Sequence, residues 1–297
     1  MMDMKSLFTT YKYDVLKLLG VMGITFLALT IRVDFIGETD AVVQFDYLSA
    51  TTSIAEDDEA EHDSSFWFDD LCDEYKILCK KTTFNGSFSS VEKTDYFDQI
   101  SSVVSLIDET ARRGSYLENV FTAILINQAK GSRRGSAWWT KLTMNVWGLK
   151  YDDEFWQVFT HEVGHIMDLW ALQGKSRIKS QNFTEFDKVV FTIDDPSLEY
   201  YKYSWVSETV RKNWVKKQDF CSGYGMSNPF EDFAECHNLY LNHHDVFVLF
   251  AKTNTSMKNK YNYFANLYGG NYFSNSSLPS DQVKVAQRAW DTTRISE

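Results

Sequence analysis

The chain holds little of what breaks or staples a backbone. Three prolines and 14 glycines in 297 residues exclude collagen-like and proline-rich classes. Four cysteines are too few for a scaffold built on disulfides. Cations are outnumbered, 30 Lys and Arg against 41 Asp and Glu, and the net charge is −11. With no basic block, the chain is a poor fit to nucleic acid, whose phosphates need clustered cations. No internal repeat is visible. What is plentiful is apolar: 44% hydrophobic and 16% aromatic residues, ample for a packed core. At roughly 100–200 residues per domain, the length suits one large domain or two modest ones.

Leu18–Ile31 is an uncharged run preceded by Lys5, Lys12 and Lys17 and closed by Arg32 and Asp34. Its 14 residues are short for a spanning helix and typical of an export signal or a buried helix. With Val15 and Leu16 counted, and Lys17 reaching to the interface, it would also serve as a retained signal anchor. Cleaved or retained, such a segment puts the rest outside the cytoplasm, and if uncleaved it holds the chain to a membrane. Residues 32–64 read as an acidic linker, with six carboxylates in the eight positions Glu56–Asp63. Residues 65–94 read as a helical extension, 95–272 as the main domain and 273–297 as a tail with a further helix near Asp281–Trp290.

Within the main domain, Ile100, Val103, Val104 and Ile107 give Val91–Ala111 one apolar helical face. Leu117–Gln128 fits helix or strand. Leu142, Met144 and Val146 alternate with polar residues, which predicts a strand over Thr140–Val146. Asp152 and Asp153 are placed to cap a helix from Glu154 to Leu172, stopped by Gly174. Pro229 opens a helix through Asn242. Another runs near Lys258–Tyr268. Cys72 and Cys79, seven apart on a continuous helix, would lie about 10 Å apart and stay free thiols. Cys221 and Cys236 are free to pair in an oxidising compartment or to remain reduced.

The chemistry lies in His161-Glu162-Val163-Gly164-His165. Residues four apart on a helix share a face, so His161 and His165 can bind one metal ion with Glu162 beside it as general base. A zinc site of this kind usually takes a third protein ligand. A third histidine at 171 is excluded, since Ala171 stands there. Glu231 and Glu235 in Glu231-Asp232-Phe233-Ala234-Glu235 share a helix face. Glu231 can bind metal, and Glu235 can accept a hydrogen bond from a ligating imidazole and fix its tautomer. Asp168, three residues after His165, reads either as a partner of the zinc surroundings or substrate backbone, or as a helix salt bridge. His237, His243 and His244 could suggest a second metal, but His-His pairs near a helix end are more often solvated. Trp138 and Trp139 read as core or as cleft wall.

HEVGHIMD at 161–168 with SGYGMSNPFEDFAE at 222–235 resembles the gluzincin zinc peptidases of the anthrax lethal factor and Pro-Pro endopeptidase type. The resemblance is specific in these two blocks and spans about residues 95–270. It implies an α+β zincin-like domain, mostly helical, with a small sheet whose edge strand precedes the zinc helix. By that resemblance one Zn2+ is held by His161, His165 and Glu231, Glu162 is the base, and Tyr224 hydrogen-bonds the oxyanion. The strand Thr140–Val146 would be the edge that pairs with an extended peptide. The 66 positions from His165 to Glu231 exceed the spacing expected of those relatives, so Phe183–Lys217 reads as an elaboration bearing on substrate preference. The expected function is a zinc endopeptidase acting on an extracytoplasmic peptide or protein. The rival readings are a catalytically silent binding module and a secreted toxin protease of narrow specificity. Nothing in the sequence speaks to oligomeric state.

Overall fold

The computed structural model describes residues 31–35, 41–45, 72–110, 117–131, 133–149, 153–185, 189–276 and 289–295. The apolar run over residues 18–30, the carboxylate-rich 56–63 and most of the helix expected over 281–290 lie outside them. The chain divides into two compact units, Met1–Ser53 and Ile54–Glu297. In the first, β1 (Ile31–Phe35) pairs antiparallel with β2 (Ala41–Phe45), Ile31 opposite Phe45. This corrects part of the stretch read as linker to paired strand. Among the described residues no helix is long and apolar enough to cross a membrane.

The second unit begins with α1 (Lys76–Lys81), β3 (Thr82–Asn85), α2 (Ser90–Thr110), the short α3 (Leu117–Val120) and β4 (Ala123–Asn127). Then come β5 (Gly135–Trp138) and β6 (Lys141–Asn145). The strands form one sheet in the order β3-β4-β6-β5, with β3, β4 and β6 parallel and β5 antiparallel to β6. The register sets Ile124 beside Leu142 and Ile126 beside Met144, so the period of two buries one apolar face. Phe97, Ile100, Val104 and Ile107 of α2 recur at helical spacing and belong to the same core. Leu117–Gln128 thus resolves into both alternatives, a helical turn followed by a strand. The predicted edge strand is corrected: Lys141–Asn145 is interior, because it hydrogen-bonds β4 on one side and β5 on the other. The edge strand next to it is β5, Gly135–Trp138; the opposite edge is β3.

Helix α4 (Glu154–Ile166) follows and widens into a π-helical turn over Met167–Ala171. Asp153 stands at its N-terminus but its side chain does not cap; it accepts from the Gln157 amide at 2.9 Å instead. The hairpin β7 (Lys179–Glu185) and β8 (Val189–Thr192), α5 (Pro196–Tyr201), α6 (Pro229–Asn242), α7 (His244–Thr253) and α8 (Thr255–Leu267) complete the unit. Gly269 and Gly270, both at positive φ, end α8. The unit is wider than the 95–272 expected from sequence. Thr82–Asn85 is a strand of the sheet, and Thr292 donates to Glu235 inside it. Cys72 and Cys79 form a disulfide, with Cα atoms 5.4 Å apart. The helical geometry assumed for them breaks at Tyr75, whose ψ of 49° lies outside the helix.

Helices α4 and α6 press together at Gly164. A Cβ there would lie 3.0 Å from the Ala234 backbone and 3.1 Å from His237 Nδ1, a tight fit that a larger residue could take only if its neighbours gave by a few tenths of an ångström. The far side of α6 is fastened by a buried ion pair. Lys260 on α8 is fully buried and places Nζ 2.7 Å from both Asp232 oxygens and 2.8 Å from the Asp219 carbonyl. Asp232 also accepts from Trp205 Nε1 at 2.9 Å. Removing one member strands the other charge in apolar surroundings. Lys260→Met is therefore expected to lower unfolding free energy by about 3–5 kcal/mol in a urea titration; a loss under about 1 kcal/mol would show that Asp232 is held otherwise.

Candidate metal centre

His161 and His165 sit one helical turn apart on α4, and Glu231 faces them from the first turn of α6. Sequence fixes Glu231 locally: Pro229 opens α6, and the Asn228 side chain accepts from the Glu231 N–H at 2.8 Å as N-cap. Glu231 Oε2 lies 3.4 Å from His161 Nε2 and 3.3 Å from His165 Nε2. One ligand atom from each of the three lies within 4.8 Å of the others, the only such group of three among the described residues. Glu231 Oε2 is buried and has no hydrogen-bond partner. Two imidazole nitrogens and an unsatisfied carboxylate oxygen converging on one point are a donor set that fits a divalent metal ion.

The surrounding groups orient this set. His161 Nδ1 and Glu235 Oε1 lie 2.9 Å apart, with neither atom otherwise hydrogen-bonded. Tyr224, in a 3-10 turn over Tyr224–Met226, donates its hydroxyl to Glu231 Oε1 at 2.9 Å. Cys221 and Cys236 form a disulfide, closing the loop that carries Tyr224 onto the helix that carries Glu231. Glu162 points to β5: the Ala137 N–H hydrogen-bonds its carboxylate. Gly135 allows this closeness, since a Cβ there would come within 2.6 Å of Glu162 Oε1.

Asp168 is a correction. Its Oδ2 accepts from the Tyr201 hydroxyl at 2.6 Å and its carbonyl from Ser197 Oγ at 3.0 Å. The π turn carries it away from the ligand face, and it ties the end of α4 to α5. Neither expected helix salt bridge nor contact with a ligating imidazole is formed. His243 and His244 are also corrected. They are packed, not solvated: His243 Nε2 meets Gln157 Oε1 at 3.0 Å and His244 stacks on Tyr272 at 3.7 Å. His237 is buried between the Thr160 carbonyl and the Tyr268 hydroxyl.

The site opens on a cavity of about 480 Å³ whose lining includes His161, Glu162, His165, Tyr224 and Glu231, with the edge strand β5 and the indoles of Trp138 and Trp290. Trp139 turns away at a φ of 56° and stacks on Trp170. Sequence reasoning missed Arg134, Gly135, Trp290 and Thr292. Only Arg134 and Gly135 lie in a stretch with a local signal, Gly131-Ser132-Arg133-Arg134-Gly135, whose composition favours loop.

Burial opposes charge on both ligating imidazoles, yet the Glu231 carboxylate raises His165, and Glu231 with Glu235 raises His161 well above the ordinary value. Glu231 is also resisted by burial but held far below the carboxylate range by the two imidazoles. Burial raises Glu162, against the pull of His161 and His165. Burial and the neighbouring Glu231 raise Tyr224.

No protein family, curated protein or solved structure matches the chain. The geometry therefore carries the reading alone.

Two outcomes test the centre. Metal analysis should find one divalent ion per chain, lost in Glu231→Ala; an unchanged content in that variant removes Glu231 from the ligand set. Ligation needs neutral imidazoles, so metal displaces protons whose affinity here is raised. Affinity should accordingly fall on acidification from a pH above about 6.5, the ordinary imidazole value. A decline that starts only below that value would count against the carboxylate contacts.

Proposed function

We propose that the chain is a zinc-dependent endopeptidase of the gluzincin type, on a zincin-like fold, acting on an extracytoplasmic peptide or protein. The carrying observation is that the His161–His165–Glu231 group, the Glu162 carboxylate and an edge strand share one cavity. Two disulfides among the described residues fit an oxidising compartment. Attachment to a membrane through residues 15–31 belongs to the same proposal.

His161, His165 and Glu231 would hold the zinc. A bound zinc would supply Lewis acidity and lower the pKa of a water in the cavity. The outer edge of β5 offers backbone groups to an extended peptide, which sets the scissile carbonyl in the cavity. Glu162 takes the proton from water and hands it to the departing amine. Its burial raises its pKa, which makes it a better proton holder, and the Ala137 N–H keeps it aimed. The Tyr224 hydroxyl has one proton to donate. It rests on Glu231 Oε1 and turns to the oxyanion as charge develops there. Glu235 keeps the His161 ring turned so that Nε2 faces the metal.

Glu162→Gln should keep its metal and lose cleavage of a peptide library by about 10²–10⁴-fold; activity near wild type would end the general-base assignment. Tyr224→Phe should lower kcat by about 10²-fold with little change in KM. A change in KM alone would move Tyr224 from the oxyanion to substrate binding.

A further inference from the structure

We propose that the C-terminal segment Ala289–Ile295 is a built part of the metal centre, and that the Thr292 backbone N–H is the positioning group that holds Glu235 against His161. The inference rests on the metal-site reading above and extends it to a segment some 57 residues from the ligand helix.

The contacts are specific and run along the whole segment. The Thr292 N–H donates to Glu235 Oε2 at 2.8 Å, leaving Oε1 to face His161 Nδ1 at 2.9 Å. Thr292 Oγ1 donates to the Glu235 carbonyl at 3.3 Å and accepts from Asn238 Nδ2 at 3.1 Å. Two and three residues earlier the segment pins the Tyr224 loop. The Gly223 N–H donates to the Ala289 carbonyl at 2.8 Å, and the Tyr224 N–H to the Trp290 carbonyl at 2.6 Å. The Trp290 indole lies over Gly223, where a Cβ would come within 2.6 Å of the ring. Arg134 locks the far end: it donates to Glu154 Oε1 at 2.5 Å, to Thr293 Oγ1 at 2.8 Å and to Asp291. The segment thereby bridges the base of α4, the edge-strand side of the cavity, the Tyr224 loop and α6. Glu235 and Thr292 are fully buried. A buried carboxylate with one oxygen fixed by a backbone donor has one orientation left, and that orientation faces the ligating ring. Loss of such an outer contact typically weakens metal binding about 10–100-fold.

The backbone permits a sharp test. Thr292 is the first residue of a 3-10 turn, a position that tolerates proline. Asp291 before it is extended, at φ −143° and ψ 126°, as a residue preceding proline prefers. Thr292→Pro therefore removes the N–H and the hydroxyl, and Thr292→Ala removes the hydroxyl alone. Zinc affinity of the full chain is measured for both by competition with a chelating indicator, with circular dichroism as the check on folding. The expected result is that Thr292→Ala stays within about threefold of wild type while Thr292→Pro binds at least tenfold more weakly. Equal affinities in the two folded variants overturn the proposal.

If Thr292→Pro does not fold, hydrogen exchange in the wild-type chain decides. By reciprocity, zinc should slow exchange of the Thr292 amide beyond the general slowing at core amides such as Phe264. No excess protection overturns the proposal. Neither measurement uses peptide cleavage. A chain that shows this zinc dependence and cleaves nothing keeps the positioning role and loses the peptidase reading. A wild-type chain that binds no zinc overturns both.

Discussion

Burial of charge where α4 crosses α6 is the constraint on which the structure turns. His161, His165, Glu231 and Glu235 lie together behind a close helix crossing. Removing ionisable groups from water is costly unless each meets a partner. The cluster answers that cost by pairing imidazole with carboxylate and leaving one carboxylate oxygen facing two ring nitrogens. That donor set fits a divalent metal ion. Gly164 keeps that crossing close, since a side chain there would meet the Ala234 backbone at 3.0 Å.

Much of the surrounding fold serves to hold α6 in register against α4. Asn228 caps it, the Cys221–Cys236 disulfide ties its middle to the Tyr224 loop, and Lys260 neutralises Asp232 beside the metal-facing glutamate. Each restraint reaches a residue within one turn of Glu231 or Glu235. In a chain-entropy view, closing a loop of about 15 residues by a disulfide stabilises by about 3 kcal/mol. The gain falls on the segment whose position decides the geometry of the cavity. The sheet plays the matching part on the other side, where β5 brings the Ala137 N–H to Glu162.

Several elements were legible because their signals are local. Periodic apolar residues marked α2, Pro229 marked the start of α6, and the helix spacing of His161 and His165 put them on one face. The four-residue spacing of Glu231 and Glu235 did the same on α6. Other elements were not legible. Which strand forms the edge depends on pairing order, and β6 has the stronger alternation while β5 has the exposed side. Asp168 shares a face with His165 only in a regular helix, and the π turn removes that relation. Cys72 and Cys79 pair because the helix between them breaks at Tyr75, a break with no glycine or proline to announce it. His243 and His244 looked solvated at a helix end, but Gln157 of α4 and the Tyr272 ring, both distant in sequence, pack against them.

The sequence by itself determined that two imidazoles share one face of one helix with a glutamate beside them, and that two further carboxylates share a face of another. Helical periodicity is enforced by the backbone hydrogen bonds of each segment, so it needs no knowledge of the rest. Only the tertiary structure decided that these faces meet, that Glu231 turns to the imidazoles while Glu235 turns to the back of His161, and that Thr292 reaches Glu235. Contacts between residues far apart in the chain are selected by burial and by the need to satisfy buried polar groups. No spacing in the sequence records that selection.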